Sequence, residues 1–410
     1  MRFYISMLFA LTFVNCALFA QSAQYYFEKG VAKAEIGDYK GANEELTKAI
    51  EIDPNVDIIF YNRGLVKFKL GDYRAAIRDY NRALEINPIF YMAWVNRGSA
   101  EMELKNYEIA IHDFNKALEI NPNLVEAYYN RAIVKLALEN YEDAIQDLNI
   151  AIEISPNFAL AYYNRGTTKY HLGNLMDAIN DFDYAILNDP KFFEAYYNRG
   201  RARLELGNIQ EALNDFNKAI ELNSNFAETY TNRASVYISL GSYQKAIEDN
   251  DKAILLKPHY AEAYNNRGLI KLMIKNYDGA MKDLTKAIEL NPELVQSHLY
   301  RGITKHELQD YKGAIKDYDN ALRINPKDFY SFLHRGISKF NLGDYDRAIA
   351  DFNMVDELNP AEEPRVYYYR GLARLIKGDK KKGGQDLRKA KEFEFGDVDI
   401  LIEQNCKKKK

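Results

Sequence analysis

The sequence predicts an all-α solenoid of eleven helix–turn–helix units, each 34 residues long. The first observation is the motif Tyr-Asn-Arg-Gly, which begins at Tyr61 and returns at Tyr163 and Tyr197. The second is that its arginine recurs at one interval, with Lys29 one period upstream and Arg370 following after a one-residue slip. The arginines of this column are Arg63, Arg97, Arg131, Arg165, Arg199, Arg233, Arg267, Arg301 and Arg335. Because each unit of a solenoid contacts mainly its neighbours, a longer chain adds units rather than domains.

Residues 91–124 illustrate one unit. A helical pattern runs from Tyr91 to Leu104, is broken at residues 105–106, and resumes from Tyr107 to Ile120. Pro122 then follows, and proline cannot continue a helix. We therefore predict two antiparallel helices joined by short links in every unit.

Small residues recur inside both helices of each unit. The first helices carry Gly at positions such as Gly64 and Gly98, although Gly costs about 1 kcal/mol relative to Ala inside a helix. Large residues such as Tyr80 and Phe114 alternate with them. This pattern predicts that the helices interdigitate at a separation of about 8–10 Å.

These residues resemble the tetratricopeptide repeat. In one unit Trp94, Gly98, Ala110, Phe114, Ala117 and Pro122 follow that family's pattern, and the resemblance covers roughly residues 23–396. It implies a right-handed superhelix whose first helices line a concave groove. Ser224 replaces the usual Pro and Asn250 the usual aromatic residue, so the seventh unit is expected to pack more loosely.

The two ends of the chain differ from the repeats. Residues 1–20 have a basic start and an apolar stretch that is too short to span a bilayer, which is typical of a cleaved signal peptide. We therefore expect an exported protein of the bacterial periplasm, outer-membrane periphery or extracellular space. Residues 397–410 are expected to form a capping helix and a basic tail, and the second Pro within 359–364 predicts a small kink.

Cys16 raises an alternative for the N-terminus. Residues 13–16, Phe-Val-Asn-Cys, weakly resemble a bacterial lipoprotein box, although Asn15 departs from the usual small residue. In that case the cysteine would carry a lipid anchor.

The net charge of −4 does not indicate a surface that binds nucleic acid, and no later stretch is apolar enough to span a membrane.

An acid stands sixteen residues after each arginine, as in Arg63 with Asp79, Arg97 with Asp113, and Arg199 with Asp215. In the first unit both members change together, to Lys29 and Glu45. A second base follows most arginines by four residues, and so lies on the same helix face. We expect structural ion pairs that set the register between helices; the alternative is an anion-binding row of arginines.

A row of asparagines directly precedes the arginines: Asn62, Asn96, Asn130, Asn164, Asn198, Asn232 and Asn266. In families that this chain resembles, such a ladder holds the backbone of an extended peptide in the concave groove, beside tyrosines that here are Tyr129, Tyr163 and Tyr197. The amide group offers two donors and an acceptor in one plane, which suits a peptide unit. Two alternatives remain open: each Asn caps or solvates its helix, or it bonds between adjacent repeats.

The remaining residues favour binding rather than catalysis. The six histidines have no Cys, Ser or metal-ligand constellation near them in sequence, and we interpret them as surface or groove residues. No cofactor, metal site or enzyme activity is expected. Glu126, Glu194, Glu228 and Glu262 lie near the groove and favour a partner that carries Lys or Arg. We predict a scaffold for a protein or extended peptide; the alternative is a lipid-anchored envelope component that binds through its convex face.

Overall fold

The computed structural model describes residues 22–358, 363–396 and 398–406. The predicted signal peptide, Cys16, residues 359–362 of the predicted kink and the basic tail at 407–410 lie outside the described residues. The helices follow each other in pairs, and the prediction of an all-helical repeat protein is confirmed. Helix α1 covers 22–35. The following helices of the first half are α2 Tyr39–Ile52, α3 Asp57–Lys69, α4 Tyr73–Ile86, α5 Tyr91–Glu103, α6 Tyr107–Ile120, α7 Val125–Ala137, α8 Tyr141–Ile154, α9 Ala159–His171, α10 Leu175–Asn188 and α11 Phe193–Glu205.

The helix pairs, called repeats from here on, are divided between two larger compact units. The first unit ends at Ala202, and the second unit begins at Arg203 within α11. The helices of the second unit are α12 Ile209–Leu222, α13 Ala227–Ser239, α14 Tyr243–Leu256, α15 Ala261–Met273, α16 Tyr277–Leu290, α17 Val295–Glu307, α18 Tyr311–Ile324, α19 Phe329–Asn341, α20 Tyr345–Leu358, α21 Pro364–Ile376, α22 Lys380–Glu392 and α23 Asp399–Cys406.

The second helix of each pair begins at a residue that favours a helix N-terminus. Asp72 accepts a hydrogen bond from the backbone N–H of Ala75 before α4, and Asp310 caps α18 through Gly313 in the same way. The link between the two helices of a pair has three residues, of which the cap is the last. Its middle residue is left-handed, as at Gly71 with φ of 79° and at Lys105 with φ of 62°. Glycine adopts this conformation without strain, whereas lysine adopts it at a cost in free energy.

The core consists of layers in which a large side chain covers a glycine of the preceding helix. A Cβ atom added to Gly64 would lie 2.6 Å from the Tyr80 ring, and one added to Gly98 would lie 2.9 Å from the Phe114 ring. Tyr80 and Phe114 are fully buried. The glycines therefore allow the close helix approach that their cost in helix propensity indicated.

The second unit contains a different core layer. Asn250 occupies the position of Phe114 and is fully buried, and its amide donates to the Ala246 carbonyl at 2.9 Å. Its side-chain oxygen has no hydrogen-bond partner. At the C-terminal end, α23 packs on α22, and Val398 is buried beside it. No helix in the described part of the chain is both long and apolar enough to cross a membrane.

Candidate functional site

The site of interest in the first unit is a concavity of about 480 Å³ along the first helices of successive repeats. Residues five before, one before and two after an arginine lie on one face of such a helix, as Met92, Asn96 and Ser99 do on α5. Its lining residues are Tyr61, Tyr91, Met92, Val95, Asn96, Ser99, Leu124, Glu126 and Asn130. The structure therefore brings two of the predicted Asn residues into one cavity.

Three of the asparagines bond to a tyrosine of the preceding repeat. Nδ2 of Asn96 donates to the Tyr61 hydroxyl at 2.9 Å and to the Met92 carbonyl at 3.0 Å. Asn164 repeats this with the Tyr129 hydroxyl at 3.1 Å and the Leu160 carbonyl at 2.9 Å. Nδ2 of Asn198 donates to the Tyr163 hydroxyl at 3.0 Å. An amide has two donors, so those of Asn96 and Asn164 are both occupied and only the oxygen remains for a ligand.

The other asparagines use different partners. Nδ2 of Asn130 donates to Ser99 Oγ at 3.3 Å, again in the preceding repeat. Asn62 and Asn232 donate to carbonyls one turn back in their own helices, at 2.8 Å and 2.9 Å. Asn266 accepts from Asn265 at 3.3 Å. The bonding between repeats that the sequence left open thus accompanies the asparagines from Asn96 to Asn198.

The tyrosines beside the asparagines are half-buried. They pack on neighbouring side chains in addition to accepting hydrogen bonds. Burial raises the pKa of Tyr129 and Tyr163 above the usual value of a phenol. The Tyr129 ring lies 4.9 Å from that of Phe158, and the Tyr163 ring lies 4.7 Å from that of Phe192. The Arg201 guanidinium lies 5.8 Å from the centre of the Tyr197 ring. The hydroxyl groups of Tyr129 and Tyr163 therefore orient the side chains of Asn164 and Asn198 from a rigid support.

The arginines of the column form bidentate salt bridges with the acids that stand sixteen residues later. Nε and Nη2 of Arg97 each donate to a carboxylate oxygen of Asp113 at 2.7 Å, and the Arg63–Asp79 contacts are 2.9 and 2.7 Å long. The same geometry occurs at Arg131, Arg165, Arg233, Arg267, Arg301, Arg335 and Arg370. These carboxylates are buried, so each needs its cation.

Arg199 and Asp215 lie in different units. In the first unit Arg199 pairs with Asp183. In the second unit Asp215 pairs with Arg203, with its Oδ2 atom 2.7 Å from Nη1.

A third partner of the arginines was missed from the sequence. Nη1 of Arg97 donates to Asn81 on the second helix of the preceding repeat at 2.6 Å. Its guanidinium also lies 4.5 Å from the centre of the Trp94 ring. The signal was present, because a polar residue stands sixteen before each arginine from Arg63 to Arg335. Those residues are Thr47, Asn81, Asn115, Asn149, Asp183, Asn217, Asp251, Thr285 and Asp319. Each arginine from Arg63 to Arg335 thus bridges neighbouring repeats, and these nine described residues do not form a free cationic row.

The expectation that all histidines lie at the surface or groove is wrong for His298. This residue is buried, and its Nε2 lies 2.9 Å from the Pro292 carbonyl oxygen. Burial lowers the pKa of His334 to about 4, and the charges of Arg365 and His306 act in the same direction. Within residues 22–358, 363–396 and 398–406, no three His, Cys, Asp or Glu residues are placed to hold a metal ion.

The described part of the chain is an all-helical repeat structure with a concavity in its first unit and no group of metal-ligating side chains. Comparison with family profiles identifies the repeats. The tetratricopeptide repeat family matches residues 58–90, 91–124, 193–226, 227–260 and 261–294, and related repeat profiles match 30–71, 134–173, 114–146 and 301–363. The chain belongs to the tetratricopeptide repeat family and is a protein-interaction scaffold.

Several solved structures are similar to the chain. A chain of the APC/C hetero-tetramer Cut9–Hcn1 is 16% identical with a TM-score of 0.55, over 94% of this chain and 96% of that chain. MamA is 28% identical with a TM-score of 0.38, over 40% of this chain and 96% of its own. YrrB, described as a TPR protein with an unusual peptide-binding site, is 24% identical with a TM-score of 0.41, over 45% and 95%. The Cut9–Hcn1 likeness supports the fold. No curated protein matches the chain.

Proposed function

We propose that the first unit binds an extended peptide, whose backbone N–H groups donate to the side-chain oxygens of the asparagines. One observation carries this proposal. Among the described residues, the amide oxygens of Asn96, Asn130 and Asn164 accept no hydrogen bond, while their Nδ2 groups are bound to the protein itself. Each oxygen is therefore an oriented acceptor that can take a donor without loss of an existing bond.

The spacing of the repeats suits an extended chain. Neighbouring helices pack about 8–10 Å apart, and an extended chain rises about 3.3 Å per residue, so one asparagine meets about every third peptide residue. Backbone contacts of this kind are independent of peptide sequence. Selectivity then comes from the side chains between the asparagines, where Glu126, Glu194 and Glu262 favour a partner with Lys or Arg.

Selection from a random twelve-residue peptide library displayed on phage tests the proposal. We expect the wild-type chain to enrich peptides, and the triple variant Asn130→Ala, Asn164→Ala, Asn198→Ala to bind them at least tenfold more weakly. The reason is the loss of three hydrogen bonds of about 0.5–1.5 kcal/mol each. Isothermal titration calorimetry measures the affinities.

A matched control separates ligand binding from damage to the fold. The double variant Tyr129→Phe, Tyr163→Phe breaks the same bonds between repeats at Asn164 and Asn198 but keeps both amide oxygens. It should bind the selected peptides within threefold of wild type. Equal losses in the two variants, or no loss in the triple variant, would refute a direct role for the asparagine oxygens.

We also propose, from residues 1–20 alone, that the chain is exported in bacteria. Expression of the full chain in a bacterial host, followed by intact-mass measurement, distinguishes the alternatives. A mature chain that starts near Gln21 supports a cleaved signal peptide, whereas a lipid on Cys16 supports an anchored form. An uncleaved cytoplasmic chain would contradict export.

A further inference from the structure

The cavity between α5 and α7 has an excess of unsatisfied hydrogen-bond acceptors. The amide donors of Asn96 and Asn130 are directed to Tyr61, Met92 and Ser99, which leaves both oxygens free among the described residues. Ser99 Oγ donates to the Val95 carbonyl at 2.9 Å, so its proton is also occupied. The side chain of Glu126 adds a carboxylate to the same wall.

Glu126 has no cation of its own. It is exposed and forms no ion pair within the described part of the chain, and the residues that line the cavity include no Lys, Arg or His. The corresponding acid in the second unit, Glu228, is neutralised by Lys257 at 2.9 Å. The position that corresponds to Lys257 beside Glu126 is Ser155. The negative charge of this cavity is therefore available to a ligand.

The remaining walls are apolar. Met92, Val95 and Leu124 line the cavity together with the rings of Tyr61 and Tyr91. Such walls suit an alkyl stem that ends in a charged head group, as in lysine, whose methylene groups pack on apolar surface while the ammonium reaches polar partners. Glu126 and Asn130 are four residues apart on α7 and share a helix face, so one ammonium, which has three donors, can bind the carboxylate and the Asn130 oxygen together.

We propose that this cavity binds one lysine side chain of the peptide partner, with its ammonium group held by Glu126 and Asn130. The proposal rests on the proposed peptide-binding function and assigns a specificity pocket to it. Lysine is favoured over arginine because a compact ammonium needs few acceptors, whereas the guanidinium presents a planar fork of five donors.

The phage-displayed library tests this assignment through the sequences that are selected. Peptides selected by the wild-type chain should share a lysine at one fixed position. In a synthetic copy of a selected peptide, norleucine at that position should weaken binding about tenfold or more, because the charge is lost and the stem is kept. In Glu126→Gln the same replacement should change the Kd less than threefold.

Two further variants make the outcome specific. Glu126→Lys should select peptides with Asp or Glu at the fixed position, while Glu228→Gln, which alters an acid that is already paired, should select the wild-type pattern. Enriched peptides without a fixed lysine, or with a fixed arginine, would overturn the lysine pocket and leave peptide binding intact. A failure to enrich any peptide would instead overturn the proposed function.

Discussion

The two units share one bridge between repeats and differ at the residue beside it. In the first unit Arg97 forms a bidentate salt bridge with Asp113 and a single hydrogen bond with Asn81. In the second unit Arg335 makes the same two kinds of contact with Asp351 and Asp319. The preceding residue is Asn96 in one case and His334 in the other. The arginine bridge therefore accompanies the repeat packing, while the neighbouring position is free to change.

The residues at that position give the two regions different groove chemistry. Asn96 and Asn164 hold free amide oxygens in the first unit. At the end of the second unit the column continues as Tyr300, His334 and Tyr369. The Tyr369 ring lies 5.5 Å from that of Phe340. Aromatic packing replaces oriented acceptors there, which is why we place backbone capture in the first unit.

The largest expected effect is on the bridge, and it should be equal in both units. Arg97→Met leaves Asp113 without a salt-bridge partner from Lys or Arg, because Glu101 stands where other repeats carry Lys. Arg233→Met does the same to Asp249, beside Tyr237. We expect each to lower the free energy of unfolding by about 3–5 kcal/mol. Urea denaturation measures the loss.

Arg131→Met and Arg267→Met are the controls for this prediction. Asp147 keeps Lys135 at 2.8 Å and Asp283 keeps Lys271 at 2.7 Å, so the carboxylates retain a cation. Their losses should be smaller by more than 1 kcal/mol. If all four variants lost the same stability, the second base would play no part in the bridge.

The next effect concerns pH and the second unit. His334 has a folded pKa of about 4 against 6.5 for the ordinary side chain, so the unfolded chain binds more protons between these values. This contribution to stability is complete above pH 6.5 and declines by about 2–3 kcal/mol as the pH falls to 4. His334→Asn, which restores the residue of the first unit, should remove that decline.

The measurement is thermal denaturation of both chains at pH 7.5, 5.5 and 4.5. Acid destabilisation from carboxylates is common to both, so only the difference between the chains is informative. His306 also has a pKa lowered by burial and remains in the variant. A constant difference across this pH range would show that His334 titrates normally.

A smaller effect is expected where the core layers of the units differ. Asn250 is fully buried with an unpaired oxygen, and Asn250→Leu removes that polar group. We expect a gain of about 1–3 kcal/mol in the free energy of unfolding. Leu148 beside Ala132 shows that leucine fits when the opposing residue is alanine, as it is at Ala234. The reciprocal change Leu148→Asn should destabilise the chain, and a loss on Asn250→Leu would mean that the layer has no room for leucine.

The smallest effect concerns the links between paired helices. Lys105 and Glu139 in the first unit have φ of 62° and 59°, whereas Gly241 in the second has 67°. Lys105→Gly should stabilise the chain by about 0.5–1 kcal/mol because glycine adopts this conformation without strain. Gly241→Lys should destabilise the chain for the same reason. Thermal denaturation measures both changes. A destabilising Lys105→Gly would show that side-chain contacts outweigh backbone strain.

The fold was predictable because one pattern is repeated with little variation. Helix starts such as Asp72, stops such as Pro122 and close approaches such as Gly64 each follow from local chemistry. The partners of Asn96 were not predictable in the same way. Its bond to Tyr61 depends on how one repeat is rotated against the next, which periodicity does not reveal.

The site was partly predictable for a related reason. The family resemblance implied that the asparagines and tyrosines line the groove, but did not show that the amide donors were already occupied. It also could not separate Glu126 from Glu228, because the cation that neutralises the latter is Lys257, which follows the second helix of the same repeat. Long-range partners decide which polar groups remain available to a ligand.

The central claim is that asparagine oxygens accept hydrogen bonds from a peptide backbone, and an amide-to-ester scan of a selected peptide tests it most directly. Replacing one peptide N–H by an ester oxygen removes a donor and leaves the side chains unchanged. We predict a loss of about threefold to tenfold in affinity at about every third residue, and no such periodic loss in the Asn130→Ala, Asn164→Ala, Asn198→Ala variant. Uniform tolerance of the esters, or the same periodic loss in the variant, would contradict the account.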